Sequence, residues 1–239
     1  RLPSVQDTVQ DAIESLTGER ATLTVAGRTD SGVHALGQVA NFRTEDRMDP
    51  RRFTPGLNAY LPPSIRVQLS CAAPDDFDAK RDSTAKRYRY LIYCASQPSP
   101  ILAGRAWHIR GDIDPDAMAT ASRAWLGEQD FETFRSVHCD APHARRRMLG
   151  ISVRELAYPH PRRLVEIEFH ANAFCRHMCR ILAGTLTEIG QGKRPVADAA
   201  RLLAARDRTL AGQTAPPEGL TLWHVHFDDH PELWNWITV

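Results

Sequence analysis

An α+β fold with mainly antiparallel sheets is what this sequence predicts. Two observations lead there. Segments with a strand-like alternation are interspersed with segments of helical period, and neighbouring strand-like segments are often joined directly, without the strand–helix–strand rhythm of a parallel sheet. A third observation bears on organisation: "QPSPILAGR", rich in proline and glycine, reads as a connection and divides the 239 residues into an N-terminal subdomain, 1–98, and a C-terminal subdomain, 99–239.

The elements follow in order. Val5, Val9, Ala12, Ile13 and Leu16 recur at helical spacing and Gly18 stops the run. "ATLTVA" reads as a strand, a glycine-containing loop follows, and "LGQVANF" reads as the next strand. "DPRRFTPGLNAYLPP" predicts a short helix with a proline-rich exit. "IRVQLSCAA" places Ile65, Val67, Leu69 and Cys71 on one face of a half-buried strand. "KRYRYLIYC" places Tyr88, Tyr90, Ile92 and Cys94 on one side and Arg87, Arg89, Leu91 and Tyr93 on the other. Further on, "DIDPDAMATASRAWLG" is a helix with Asp114 as its cap and Pro115 in its first turn. "RRRMLGISVRELAY" and "LVEIEFHA" read as paired strands, and residues 172–193 as a long helix with an apolar stripe from Phe174 to Ile189. "VADAARLLAARDR" is another helix, and "GLTLWHVHF" closes with Thr221, Trp223, Val225 and Phe227 on one face.

Composition narrows the function classes. The 42% hydrophobic content permits a real core, no apolar run is long enough to span a bilayer, and the first residues lack the apolar region of a signal peptide. Five cysteines, an odd number in a long chain, imply no disulfide framework and point to a reduced, cytoplasmic setting. Net charge is only +1, yet basic residues cluster: five between Lys80 and Arg89 against one acid, then Arg145–Arg147, then Arg162 and Arg163. Acids collect in the tail at Asp228, Asp229 and Glu232. Such clusters suit phosphate binding where they are exposed.

The sequence has neither G-x-G-x-x-G nor a P-loop, so no dinucleotide or nucleotide cofactor is expected. "HCDAPH" and "CRHMC" contain ligand-type residues without a complete zinc spacing, and no metal is expected. The loop "AGRTDSGVHA" remains. Its glycines and Asp30 suit a turn, but a turn does not need Arg28. Asp30 could instead be a carboxylate nucleophile or base, which requires a cationic partner and a site that sheds water.

"AGRTDSGVHALGQVANF" (26–42) closely resembles the signature loop of the TruA-type tRNA pseudouridine synthases, with Ser31 where alanine is usual. "DDFDAKRDSTAKRYRYLIY" (75–93), "NAFCRHMCRILAGTLTEIGQGK" (172–193) and "LLAARDRTLAGQTAPPEGLTL" (202–222) resemble its other motifs, in family order. Thr221 stands where an aromatic is common. A strand and a stretch ending near "GWQ", usual at the start of the family, would precede Arg1 and is expected to lie outside this sequence.

The resemblance implies two related α/β subdomains around a central cleft. It implies uridine-to-pseudouridine isomerisation at positions 38 to 40 of the tRNA anticodon stem-loop, by a cofactor-free homodimer. It makes Asp30 the catalytic aspartate and Arg180 its partner. Tyr88 becomes the residue that stacks on the target base, and Arg28 helps displace the nucleotide. Lys86, Arg87, Arg89, Arg176 and His177 join them as substrate-binding residues. A catalytically silent RNA-binding protein on the same fold is the alternative, and a glycoside or nucleoside hydrolase would need a second acid that the matched motifs do not offer.

Overall fold

The computed structural model describes residues 3–159 and 162–228; the acidic positions Asp229 and Glu232 lie outside them. The described residues form two compact units. One comprises the stretches up to Gly27, Val39–Ser83 and from Phe227; the other comprises Arg28–Gln38 and Thr84–His226.

In the first unit, helix α1 (Val5–Thr17) begins with a capping box. The Asp7 backbone N–H donates to Ser4 Oγ, and the Ser4 N–H donates to the Asp7 carboxylate. Gly18 closes it, as the periodicity predicts. Strands β1 (Thr24–Val25) and β3 (Ala40–Asn41) pair antiparallel; the chain between them, with β2 (His34–Ala35), belongs to the second unit. The predicted short helix is α2 (Phe53–Tyr60). Ile13, Leu23, Phe53, Leu57 and Leu61 form the core of this unit.

The strand predicted over residues 65–73 does not form. Asn58 supplies the reason: its side-chain amide donates to the Val67 carbonyl at 2.8 Å and accepts the Val67 N–H at 2.9 Å, taking both groups a neighbouring strand would have used. Ile65 and Val67 still pack on the core, while Leu69 and Cys71 are exposed.

The second unit is built on a seven-stranded, mainly antiparallel sheet, so the fold is α+β as predicted. Its strands are β2, β4 (Ala85–Cys94), β5 (Trp107–Ile109), β6 (Gly127–Asp130), β7 (Arg145–Leu156), β8 (Arg163–Ala171) and β9 (Leu220–His226). The order is β2-β9-β4-β8-β7-β6, with β5 beside β4; among the described residues only the β2–β9 and β4–β5 pairs are parallel. Tyr88, Tyr90, Ile92 and Cys94 are buried together on β4, as their alternation requires. Strand β9 departs from its predicted face. A bulge opposite Arg87 and Tyr88 shifts its parity, so Leu220 and Leu222 are buried before it and Val225 after it, while Thr221 and Trp223 are partly exposed.

Helix α3 (Pro115–Ser122) carries Asp114 as its cap, accepting from the N–H groups of Asp116 and Ala117. Helix α4 (Met178–Gly190) starts six residues later than predicted. Asn172 Oδ1 accepts the N–H groups of Arg147 and Ala173, each at 2.9 Å, pinning that stretch to the edge of β7, and His177 turns left-handed (φ 63) just ahead of the helix. Helix α5 (Asp198–Ala205) completes the set. Among the described residues no helix is long and apolar enough to cross a membrane.

Candidate active site

The Asp30 loop is fixed to the second unit at several points. The Val33 N–H donates to the Asp30 carbonyl at 3.1 Å, closing a turn. Gly32 sits in it at φ 83, and a side chain there would press on the Pro217 ring, whose Cγ lies 3.0 Å from the Cβ position. Strand β2 runs beside β9, and the N–H groups of Leu36 and Gly37 both donate to the Leu222 carbonyl, at 2.9 and 3.3 Å.

Arg180 lies in the first turn of α4. Its Nη1 donates to Asp30 Oδ2 at 3.0 Å and its Nε to the Ala215 carbonyl at 2.7 Å; the Ala215 N–H in turn donates to the Arg180 carbonyl at 3.1 Å. The Arg180 side chain is 14% exposed and that of Asp30 27%. A charge-assisted bond of this kind contributes roughly 1.5–3 kcal/mol, against about 0–1 for an exposed ion pair. The pairing predicted from the resemblance is therefore formed, across 150 positions of sequence.

The segment ahead of Ala215 is laced along α4. The Gly212 N–H donates to Thr185 Oγ1 and the Gln213 N–H to Glu188 Oε1, both at 3.0 Å, and a Cβ on Gly184 would overlap the Gln213 carbonyl oxygen. Arg208 donates to the Gly212 carbonyl and to Thr214 Oγ1. Tyr90 donates to the Pro216 carbonyl at 2.8 Å.

Two further side chains lie near Asp30. His177 brings Nε2 to 3.3 Å from Asp30 Oδ2. Burial, with the charges of Arg180, Arg176 and Arg208, pushes its pKa below the usual 6.5 against the opposing pull of Asp30. Tyr88 is 8% exposed and packs edge-on against Phe174, ring centroids 5.1 Å apart. Burial above all, with the nearby Asp30 carboxylate a lesser cause, pushes its phenol well above the ordinary tyrosine range, so it stays protonated. Phe174 lies ahead of α4 rather than on its predicted stripe.

The remaining predicted residues are dispersed. Arg28 is exposed on the Asp30 loop. Arg176 is exposed and donates to the His138 carbonyl at 3.2 Å. The cluster at 86–89 is not the uniformly exposed basic patch that its composition suggested. Lys86 is 9% exposed on the Tyr88 side of β4, where burial lowers its pKa. Arg89 bonds Glu168 at 2.9 Å, reaches Glu166 at 3.6 Å and stacks 3.7 Å over the Trp223 ring; Arg87 faces Glu168 at 3.7 Å. Period-two alternation already placed Lys86 with the buried tyrosines, a signal the charge count hid. Residues missed by sequence reading are Phe174, Arg208, Ala215 and Glu168.

Among the described residues no three ligand-type side chains gather to hold a metal. Burial pushes the Cys175 thiol up to about 11, which disfavours the thiolate a metal needs.

Comparison with known proteins bears on what this arrangement serves. A family model described as tRNA pseudouridine synthase matches residues 3–81 and 121–228. The tRNA pseudouridine synthase A of Pseudoalteromonas atlantica is 42% identical over 226 residues, 95% of this chain and 84% of that protein. Those of Xanthomonas campestris pv. campestris and Geotalea daltonii are 42% and 38% identical, covering 93% and 94% of this chain and 88% and 90% of theirs. The stretches that hold Asp30 and Arg180 both fall inside the family match, and the chain belongs to the tRNA pseudouridine synthase family.

Proposed function

We propose that this chain isomerises uridine to pseudouridine in tRNA, with Asp30 as the catalytic carboxylate, and that its targets are positions 38 to 40 of the anticodon stem-loop. One observation supports the reading most: a partly buried aspartate bonded by Arg180 Nη1 at 3.0 Å, in a chain of this family. The reaction breaks the N1–C1′ bond of the nucleoside, turns the uracil and joins C5 to C1′. A proton leaves C5 and N1 gains one, so nothing is oxidised or reduced.

Asp30 attacks the sugar or takes a proton, as carboxylates do in other glycosyl chemistry. Arg180 fixes the carboxylate. Tyr88, a neutral phenol near Asp30, holds the loosened base by its ring, and Arg28 reaches toward the nucleotide as it leaves its stack. Cytoplasmic action as a homodimer belongs to the same reading.

The test is to incubate unmodified tRNA with the protein alone and map pseudouridine. Asp30→Asn, which keeps shape and removes charge, is expected to fold and bind tRNA but make no product. Turnover by a pure Asp30→Asn sample would reject Asp30 as the catalytic group.

A further inference from the structure

We infer that Arg208 is a positioning residue for the reaction: it clamps the backbone at Gly212–Ala215 that aims the Arg180 guanidinium at Asp30. This rests on the reading of Asp30 and Arg180 given above. Arg180 and Ala215 are joined twice. The Ala215 N–H donates to the Arg180 carbonyl at 3.1 Å, and Arg180 Nε donates to the Ala215 carbonyl at 2.7 Å, which closes a ring through the arginine side chain. The guanidinium is planar, so fixing Nε fixes the direction of Nη1, which reaches Asp30 Oδ2 at 3.0 Å. Where Nη1 points therefore depends on where the Ala215 carbonyl stands.

Arg208 holds the chain just ahead of that carbonyl. Its Nη2 donates to Thr214 Oγ1 at 2.9 Å and its Nη1 to the Gly212 carbonyl at 3.3 Å, so one rigid fork grips two residues on either side of Gln213. The same stretch is bonded to α4 by the Gly212 and Gln213 N–H groups, which donate to Thr185 and Glu188. Those bonds stop at residue 213. The Arg208 fork carries the restraint one residue further, to the neighbour of Ala215. Both of its bonds have an ionised donor, which makes them stronger than neutral ones.

Arg208 itself stands on a firm base. A short 3-10 turn, Arg208–Leu210, presents it. Just ahead, the Asp207 N–H donates to Thr133 Oγ1 at 3.0 Å, and that fully buried hydroxyl donates to the Leu202 carbonyl at 2.6 Å. The Asp207 carboxylate accepts the Thr209 N–H at 2.8 Å and closes the turn. The Arg208 side chain is half-buried, and burial lowers its pKa against the opposing pull of Glu188. An arginine at this position still stays charged at any working pH.

The test is single-turnover conversion of unmodified tRNA at saturating enzyme, with tRNA affinity measured in parallel. Arg208→Met keeps an apolar stem and removes both donors. It should slow the chemical step about 10- to 100-fold and change tRNA affinity less than about threefold. Added to Arg180→Lys, which cannot bond Asp30 and Ala215 together, the same substitution should cost less than about threefold more. A wild-type rate in Arg208→Met would overturn the inference. So would a loss of affinity in place of rate, which would put Arg208 on the tRNA itself, or an equal loss in both backgrounds, which general loosening would give. If Arg208→Met does not fold, Thr214→Val decides, because it removes the acceptor hydroxyl at nearly constant shape. It should slow the step about 3- to 10-fold alone and less than about twofold beside Arg180→Lys; an unchanged rate, or an equal loss in both backgrounds, overturns the inference. Failure of the wild-type protein to make any pseudouridine would reject the reading of the site itself.

Discussion

Gly184→Ala isolates the packing that orients Arg180. In the middle of α4, replacing glycine with alanine should stabilise the helix by about 1 kcal/mol on propensity alone. Against this, the new methyl would overlap the Gln213 carbonyl oxygen and stand 3.0 Å from its carbon, and both are backbone atoms with no rotamer to yield. Relieving such an overlap costs typically about 1–3 kcal/mol. The displaced strand of chain is also bonded to α4 through Ala215, which accepts from Arg180 Nε and donates to the Arg180 carbonyl; weakening two such bonds costs about 1 kcal/mol each. The sum is a net destabilisation of roughly 2–4 kcal/mol, or a fall of about 4–16 °C in Tm for a chain of this size. Because Ala215 steadies the guanidinium that holds Asp30, the single-turnover rate should fall about tenfold or more, beyond any loss of tRNA affinity. Gly150→Ala is the control: its methyl would meet only the His170 Cβ at 3.9 Å. Calorimetry and a single-turnover assay read the two effects, and an unchanged or raised Tm for Gly184→Ala would refute the reasoning.

Arg180→Lys keeps the charge but cannot bond Asp30 and the Ala215 carbonyl at once, as Nη1 and Nε do; a single-turnover rate lowered about 100-fold, with tRNA affinity within about threefold, is expected. Replacing the exposed Arg145 and Arg147 together by serine should flatten the slope of log K against log salt by about 1–2 in a tRNA titration. Arg89→Met should leave that slope unchanged and lower stability by about 1–3 kcal/mol, because Glu166 and Glu168 lose their shared cation.

Local chemistry made most of the second unit readable in advance. Strand β4 was legible because its alternation coincides with burial, α3 because Asp114 and Pro115 announce its start, and β7 with β8 because both are long strand-like runs joined by a short connection. What failed depended on groups remote in sequence. Residues 65–73 carry strand alternation, but Asn58 consumes the backbone bonds of Val67. The helix predicted from residue 172 begins at Met178 because Asn172 ties the chain to β7 and His177 turns left-handed, a conformation that no sequence pattern marks in a residue other than glycine. The ladder around Arg89 was invisible for the same reason: a count of positive charges does not see Glu166 and Glu168 on the neighbouring strand.

Nothing in the spacing of Asp30 and Arg180 predicts their meeting; only the resemblance did, and the structure supplies the physical cause. A short stretch of chain serves both residues. Ala215 bonds Arg180, Pro216 takes the Tyr90 hydroxyl, Pro217 lies against the turn at Gly32, and Leu222 accepts from Leu36 and Gly37 beyond the Asp30 loop. The guanidinium and the carboxylate are thus registered to the same eight residues as well as bonded to each other. A substitution between 215 and 222 that shifts this backbone would move Asp30 and Arg180 relative to one another without touching either. This segment has no group of its own on the carboxylate, yet it lies within one of the four blocks by which the sequence resembles its family, and its contacts give that block a structural role in placing Asp30 and Arg180.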